Sequence, residues 1–234
     1  MLFTLILISV TIYASPCVIE TAYGTKWMSF TDVIVRSNII SEVSNIGNRF
    51  TCLGLCLQNE ACVSVFYRQQ HRRCQLHDVL FMSSQDGEQE MGTVYYSINT
   101  GGCPLTYIQY RLLNICYQIH LNGTTFQSGV ADCSSRGEHF IVIDSDDKQN
   151  HMRKQINSSS DNISRKFHLD GSDEVNEGRW LFHDDRVMTY FAWGPGYPQN
   201  LSGKNFLVAD PEVDFLWSDK EGSEEKRYIC ERDI

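Results

Sequence analysis

Beyond its first fourteen residues the chain has no run near the roughly 18 to 20 consecutive apolar residues that a membrane-spanning helix requires. Basic charge is scarce, with 20 Lys and Arg against 29 Asp and Glu and a formal net charge of −9. Phosphate backbones and anionic membranes are held by clustered Lys and Arg, so this balance argues against nucleic acid and lipid surfaces as partners. No Cys-x2-Cys pair occurs, which argues against a structural zinc site. The seven histidines are scattered, with no His-Glu-x-x-His arrangement, Gly-x-Ser-x-Gly elbow or glycine-rich phosphate loop. No catalytic residue is assigned, and the chain is read as a non-enzyme.

What is present points to export. The opening MLFTLILISVTIYA, residues 1–14, is an apolar stretch of the length of a secretory signal and is excluded from the fold. Nine cysteines in 234 residues suit disulfides in an oxidising compartment. Four Asn-x-Ser/Thr sequons, at Asn122, Asn157, Asn162 and Asn200, would then be glycan acceptors. With 42% hydrophobic and 12% aromatic residues, the secreted, extracellular chain has material for one large or two modest cores.

The cysteines divide into two groups, 52, 56, 62 and 74 against 103, 116, 133 and 230, and the turn-forming SINTGGCP at 97–104 marks a boundary near residue 101. Cys52 and Cys56 are one helical turn apart, while CVSVFY reads as a strand and RRCQL as its hairpin partner. That geometry suggests two bridges, Cys52–Cys74 and Cys56–Cys62, pinning a short helix to the hairpin. The basic cluster RQQHRR, 68–73, is the expected solvated hairpin tip. Residues 24–98 thereby resemble the PAN/apple family, in which such bridges support a core too small to stand alone. Cys17 is left over: cleavage after Ala14 leaves it as a free thiol or an intermolecular bridge, and cleavage after Cys17 makes the count even. The reading taken is a retained Cys17, which permits a disulfide-linked dimer.

From Cys103 two aromatic-rich strands lead into a helix over Thr125–Ser135 that ends at Gly137. A second helix starts in DSDDKQNHMRKQI, where Ser145 or Asp144 can cap it and Asp146 and Asp147 complement its dipole. GRWLF and RYIC read as strands, and Trp180, Trp193 and Trp217 as buried rings. Cys103, Cys116, Leu169-Asp170-Gly171, Glu177-Gly178, Trp180, Trp193, Pro198, Trp217 and Tyr228-Ile229-Cys230-Glu231 follow in order. Residues 103–234 on these landmarks resemble a C-type lectin-like domain. The resemblance implies bridges Cys103–Cys116 and Cys133–Cys230, the latter closing a loop of about 100 residues worth ~4–5 kcal/mol. It also places the carboxylates of GSDEV, 171–175, and HDD, 183–185, in turns. The expected class is α+β: a small disulfide-tied helix-plus-antiparallel-sheet domain, then a C-type lectin-like fold of two helices, antiparallel strands and a long loop.

In sugar-binding members of that family the long loop supplies oxygens to a calcium ion that takes sugar hydroxyls. Aligned on Pro198 and Trp217, the corresponding residues are Tyr197, Gln199, Asn205, Ser218 and Asp219, and of these only Asp219 matches the metal-binding pattern. A phenol and an amide in place of carboxylates, and no cysteine pair tying the loop to its neighbour, leave at most weak calcium binding. The acidic residues Asp210, Glu212, Asp214 and Asp219 could rebuild a cation site by another route; the reading taken is a solvated acidic face. The resemblance therefore implies a secreted carbohydrate-recognition protein with a degraded calcium site; the alternative is a protein-binding adhesion or scaffolding module.

Overall fold

The computed structural model describes residues 10–11, 21–159, 161 and 164–234. Cys17, Asn162 and all but Val10 and Thr11 of the Met1–Ala14 segment lie outside these residues. The chain forms two compact units, one of residues 1–116 with 157–160 and 234, the other of residues 117–156 with 161–233.

The first unit contains β1 (Val10–Thr11), β2 (Thr21–Lys26), β3 (Val33–Ile34), β4 (Ile39–Val43), α1 (Arg49–Leu57), β5 (Ser64–Arg68), β6 (Arg73–His77), β7 (Glu88–Gln89) and β8 (Thr93–Asn99). Its main sheet runs β1-β2-β8-β5-β6-β4, and each neighbouring pair is antiparallel. The central strand β5, SVFYR, is buried along its whole length, as a nearly unbroken apolar run between two covered faces should be. Helix α1 begins where the Asn48 side chain accepts from the Thr51 amide at 3.0 Å, and it buries Cys52, Leu53 and Cys56. Bridges Cys52–Cys74 and Cys56–Cys62 join that face to the hairpin β5–β6 and to the turn before it. On the other side of the sheet Phe66 stacks on Tyr95 with centroids 4.4 Å apart, and Phe30 and Phe81 complete the cluster.

The end of α1 is closed by an arginine. The Arg111 guanidinium donates to the carbonyls of Cys56 (2.7 Å), Leu57 (2.9 Å), Asn59 (2.7 Å) and Cys62 (3.0 Å), gathering carbonyls from the last turn of α1 and from the loop that follows it. The tip of the β5–β6 hairpin is only partly the solvated turn expected. Arg68 is buried, 2.5 Å from Glu42 and 3.3 Å from Glu90, because its strand position points inward between two carboxylates.

In the second half lie β9 (Ile108–Tyr110), β10 (Ile115–Thr124), α2 (Phe126–Ser134), β11 (His139–Phe140), α3 (Asp146–Asn157), β12 (Phe167–Ser172), β13 (Phe206–Asp210), β14 (Leu216–Lys220) and β15 (Lys226–Arg232). The sheet order is β14-β13-β12-β15-β10-β9, with β11 paired to β15; β12 and β15 run parallel. Thr125 caps α2, Ser145 Oγ accepts from the Lys148 amide at the start of α3, and Gly137 follows α2 with φ +70°. Cys133–Cys230 ties α2 to β15, and Cys103 is bonded to Cys116.

GRWLF is not a strand, nor is the segment around Trp193. Among the described residues, 173–205 contains only the isolated bridges Ser172–Leu181, Leu181–Val187 and Trp193–Trp217. Its backbone groups are spent locally, as in Asn176 N to Asp173 O and Arg179 N to Asn176 O, and Gly178, Asp185, Gly196, Asn200 and Gly203 sit at positive φ. Repeated left-handed residues reverse the chain too often for a ladder to extend. Trp180 and Trp217 are buried, whereas Trp193 is only half-buried.

Candidate functional site

The long loop rests on a tryptophan platform. Trp217 on β14 is fully buried and donates from Nε1 to Gln149 Oε1 of α3 at 2.9 Å, while the Gln149 amide donates to Phe215 O at 3.0 Å. Trp193 meets Trp217 edge-on at 5.9 Å and Trp180 at 5.1 Å. Gly194 follows, its amide bonded to Trp217 O at 2.9 Å; a Cβ here would stand 2.6 Å from Val213 Cγ2, so the close approach needs glycine. The Tyr197–Pro198 peptide is cis.

These contacts bring Tyr197, Gln199 and Asp219 together. Both oxygens of the buried Asp219 carboxylate lie 2.9 Å from the Gln199 amide, which donates to them. Gln199 Oε1 accepts from Lys204 Nζ. The Tyr197 phenol accepts from Lys220 Nζ at 3.1 Å, and that ammonium also stands 4.8 Å from the Tyr197 ring centre. Asn205 contributes its backbone carbonyl, which accepts from the Asp173 amide at 3.2 Å.

Ser218 faces elsewhere. Its hydroxyl donates to Asp210 Oδ2 at 3.0 Å, in a buried network with Lys166 (3.0 Å) and Lys220 (3.7 Å). Burial pushes the Asp210 carboxyl up, but the Glu212 amide, Lys166 and Ser218 outweigh it and hold the group below its usual range. The acidic run is thus only partly the solvated face expected: Glu212 and Asp214 are exposed, beside Lys166 at 3.2 Å and Arg153, whereas Asp210 and Asp219 are buried, the latter capped by backbone. Each charge has found a partner that strand register or a neighbouring helix supplies.

Three contributors escape sequence pattern. Lys204 and Lys220 place ammonium groups on the oxygens of Gln199 and Tyr197. Asp173 is buried, its pKa raised first by desolvation, with Asp219's charge adding to the rise and the Gly178 amide opposing it. Nothing in the local sequence of Lys204 marks it as a partner of Gln199, since the turn between them creates the contact.

This donor set does not fit calcium. The ion requires about six to eight oxygens at short range, preferably several of them carboxylates. Here the only carboxylate among the five candidates already accepts a backbone N–H on both oxygens, and protein ammonium groups hold two of the remaining donors.

Residues 25–100 match the family model of the PAN domain, and residues 122–232 match that of the lectin C-type domain. The chain therefore carries a PAN domain followed by a C-type lectin domain. It is similar to perlucin of Haliotis laevigata, 28% identical over 134 residues covering 56% of this chain and 84% of that protein. It is also similar to hepatic lectin of Gallus gallus, 28% identical over 51% of this chain and 55% of that protein. Among solved structures, the mouse scavenger receptor C-type lectin carbohydrate-recognition domain superposes with a TM-score of 0.50 at 21% identity, over 56% of this chain and 96% of that one. Herring type II antifreeze protein gives 0.50 at 16% identity, over 56% and 99%. At these identities the likeness establishes the α+β C-type lectin fold.

Proposed function

We propose that this is a secreted recognition protein whose lectin domain binds carbohydrate at the 194–205 loop without a bridging calcium ion. The observation that carries the reading is the exchange of metal for ammonium: Lys204 and Lys220 contact Gln199 and Tyr197, the positions aligned with calcium ligands. Sugar hydroxyls would then be taken directly by Gln199, Asn205 and the two ammonium groups, with the half-buried Tyr197 ring as a stacking face. No step of this recognition is catalytic. The chain's relatives are lectins, and its own titratable groups here are committed to structural bonds. The four sequons, cleavage of the 1–14 segment and the fate of Cys17 belong to the same secreted reading. So do the domain limits 24–98 and 103–234.

A protein ligand is the second reading, favoured by exposed Phe191 and Leu201 beside the loop and by the sequon at exposed Asn200. A glycan there would stand on the sugar-binding surface. A glycan array probed with the whole chain, with calcium and with chelator, tests the proposal. Equal binding in both conditions supports it. Binding lost on chelation overturns the calcium-free mechanism, and a flat array in both conditions overturns sugar recognition in favour of a protein ligand.

A further inference from the structure

Outside the 194–205 loop, residues 121–123 at the end of β10, 164–166 before β12 and 224–227 around the start of β15 enclose a cleft of about 450 Å³. That volume falls within the ~300–1,000 Å³ of pockets that take a drug-sized ligand. Asn122, which heads the sequon Asn-Gly-Thr, is an exposed part of the wall, and Gly123 beside it carries no side chain to shade the amide.

The floor is fixed. The Arg227 guanidinium donates from Nε to Leu121 O at 3.0 Å and from Nη1 to Asp161 O at 2.8 Å, pinning β15 to the end of β10 and to the segment that leads into β12. Lys226 is buried and meets Glu224 at 2.8 Å, and Lys166 meets Asp210 at 3.0 Å and Glu212 at 3.2 Å. With these ammonium groups neutralised in place the cleft does not suit a phosphate or sulfate, which Glu224 and Glu225 in its lining repel.

A donor and an acceptor remain open to a ligand. Arg165 and Glu225 are exposed, and among the described residues neither makes a hydrogen bond or an ion pair. A guanidinium only donates and a carboxylate only accepts, whereas each sugar hydroxyl does both and an acetamide offers one N–H and one C=O. A neutral polyhydroxyl chain bearing N-acetyl groups is therefore the chemistry that these walls complement.

We infer, on the secreted reading above, that this cleft seats the first two N-acetylhexosamine residues of a glycan carried by Asn122. The attachment point lies in the wall itself, so the sugars reach Arg165 and Glu225 on their own covalent tether, at high effective concentration. Seated, they join the end of β10, the start of β15 and the 164–166 segment.

The test uses two single-glycan forms of the whole chain secreted from eukaryotic cells. Asn157→Gln with Asn162→Gln and Ser202→Ala leaves only the Asn122 sequon, and Asn122→Gln with Asn157→Gln and Asn162→Gln leaves only that of exposed Asn200. Peptide-N-glycosidase, which must reach the first sugar, is followed by mass spectrometry on the native proteins. Release from Asn122 is expected to be ~10-fold slower than from Asn200, and to match it after denaturation. Arg165→Ala with Glu225→Ala is expected to speed native release from Asn122 by ~5-fold. Both side chains are exposed, and a thermal transition matching the parent's verifies the fold. Equal native rates at the two sites, or slow release unchanged in the folded double variant, overturn the seat. A bare Asn122 in a chain glycosylated at Asn200 overturns it too, whereas a chain with no glycan at any sequon overturns the secreted reading as well.

Discussion

Added calcium should leave the thermal stability of this protein unchanged. A lectin loop with a dissociation constant of ~1 mM, the loose end of extracellular calcium sites, would gain ~1.4 kcal/mol at about 10 mM calcium. For a domain of about 110 residues that is a rise of ~5 °C in Tm. In this loop an ion would sit beside the ammonium groups that bond Gln199 and Tyr197. At a separation of ~5 Å each ammonium repels a divalent ion by ~2 kcal/mol in a medium like water and by ~7 kcal/mol at an effective dielectric of 20. Even the lower value costs more than tenfold in affinity per lysine, taking the dissociation constant beyond ~100 mM and the stabilisation below ~0.1 kcal/mol. Differential scanning fluorimetry with calcium and with chelator should therefore show a difference under about 1 °C. A chelator-reversible rise of about 3 °C or more would refute the reasoning, because the lysines would then not be excluding the ion. The same logic governs rescue. Tyr197→Glu with Gln199→Glu places new carboxylates beside Lys220 and Lys204, where they form ion pairs and gain no calcium. Adding Lys204→Gln and Lys220→Gln is expected to create a calcium-dependent shift.

Two further outcomes concern stability. Arg111→Met removes four charge-assisted bonds to carbonyls of the last turn of α1 and the loop that follows it and should lower the first unit's stability by ~2–3 kcal/mol in urea titration; a loss under about 0.5 kcal/mol would mean that water replaces the guanidinium at no cost. Buried histidines make both units acid-sensitive. Burial depresses His77 to about 4, His168 to about 4 and His151 to about 3, and all three are almost fully enclosed. Their folded values lie below the unfolded one, so the stability they contribute is complete above about pH 6.5 and is lost as the pH falls toward 4. From pH 7 to 5 each should cost ~2 kcal/mol, giving ~2 kcal/mol in the first unit and ~4 in the second. Urea titrations at the two pH values measure this, and equal midpoints would contradict it.

Much of the fold is local enough to be read along one dimension. The four-residue spacing of Cys52 and Cys56 defines a helix face, and α1 buries both. The apolar run of β5 and the basic turn after it specify a hairpin, and Thr125 and Ser145 mark the starts of α2 and α3. Periodicity, capping and turn chemistry act over a few residues, so their signals survive in the bare sequence. The 173–205 segment was less legible. Its aromatic residues favour strand, but a succession of left-handed positions and its packing over Trp217 override that preference.

Residue type alone determined which oxygens were present at Tyr197, Gln199, Asn205, Ser218 and Asp219, and hence that carboxylates were few. What those oxygens touch was decided in three dimensions. Ser218 turns to the buried Asp210, and Lys204 and Lys220 occupy Gln199 and Tyr197. The gathering of Asn122, Arg165 and Glu225 around one cleft belongs to the same category. Composition limits the available donors, but a ligand set is a matter of a few ångströms between residues far apart in the chain, and only the packed backbone sets those distances.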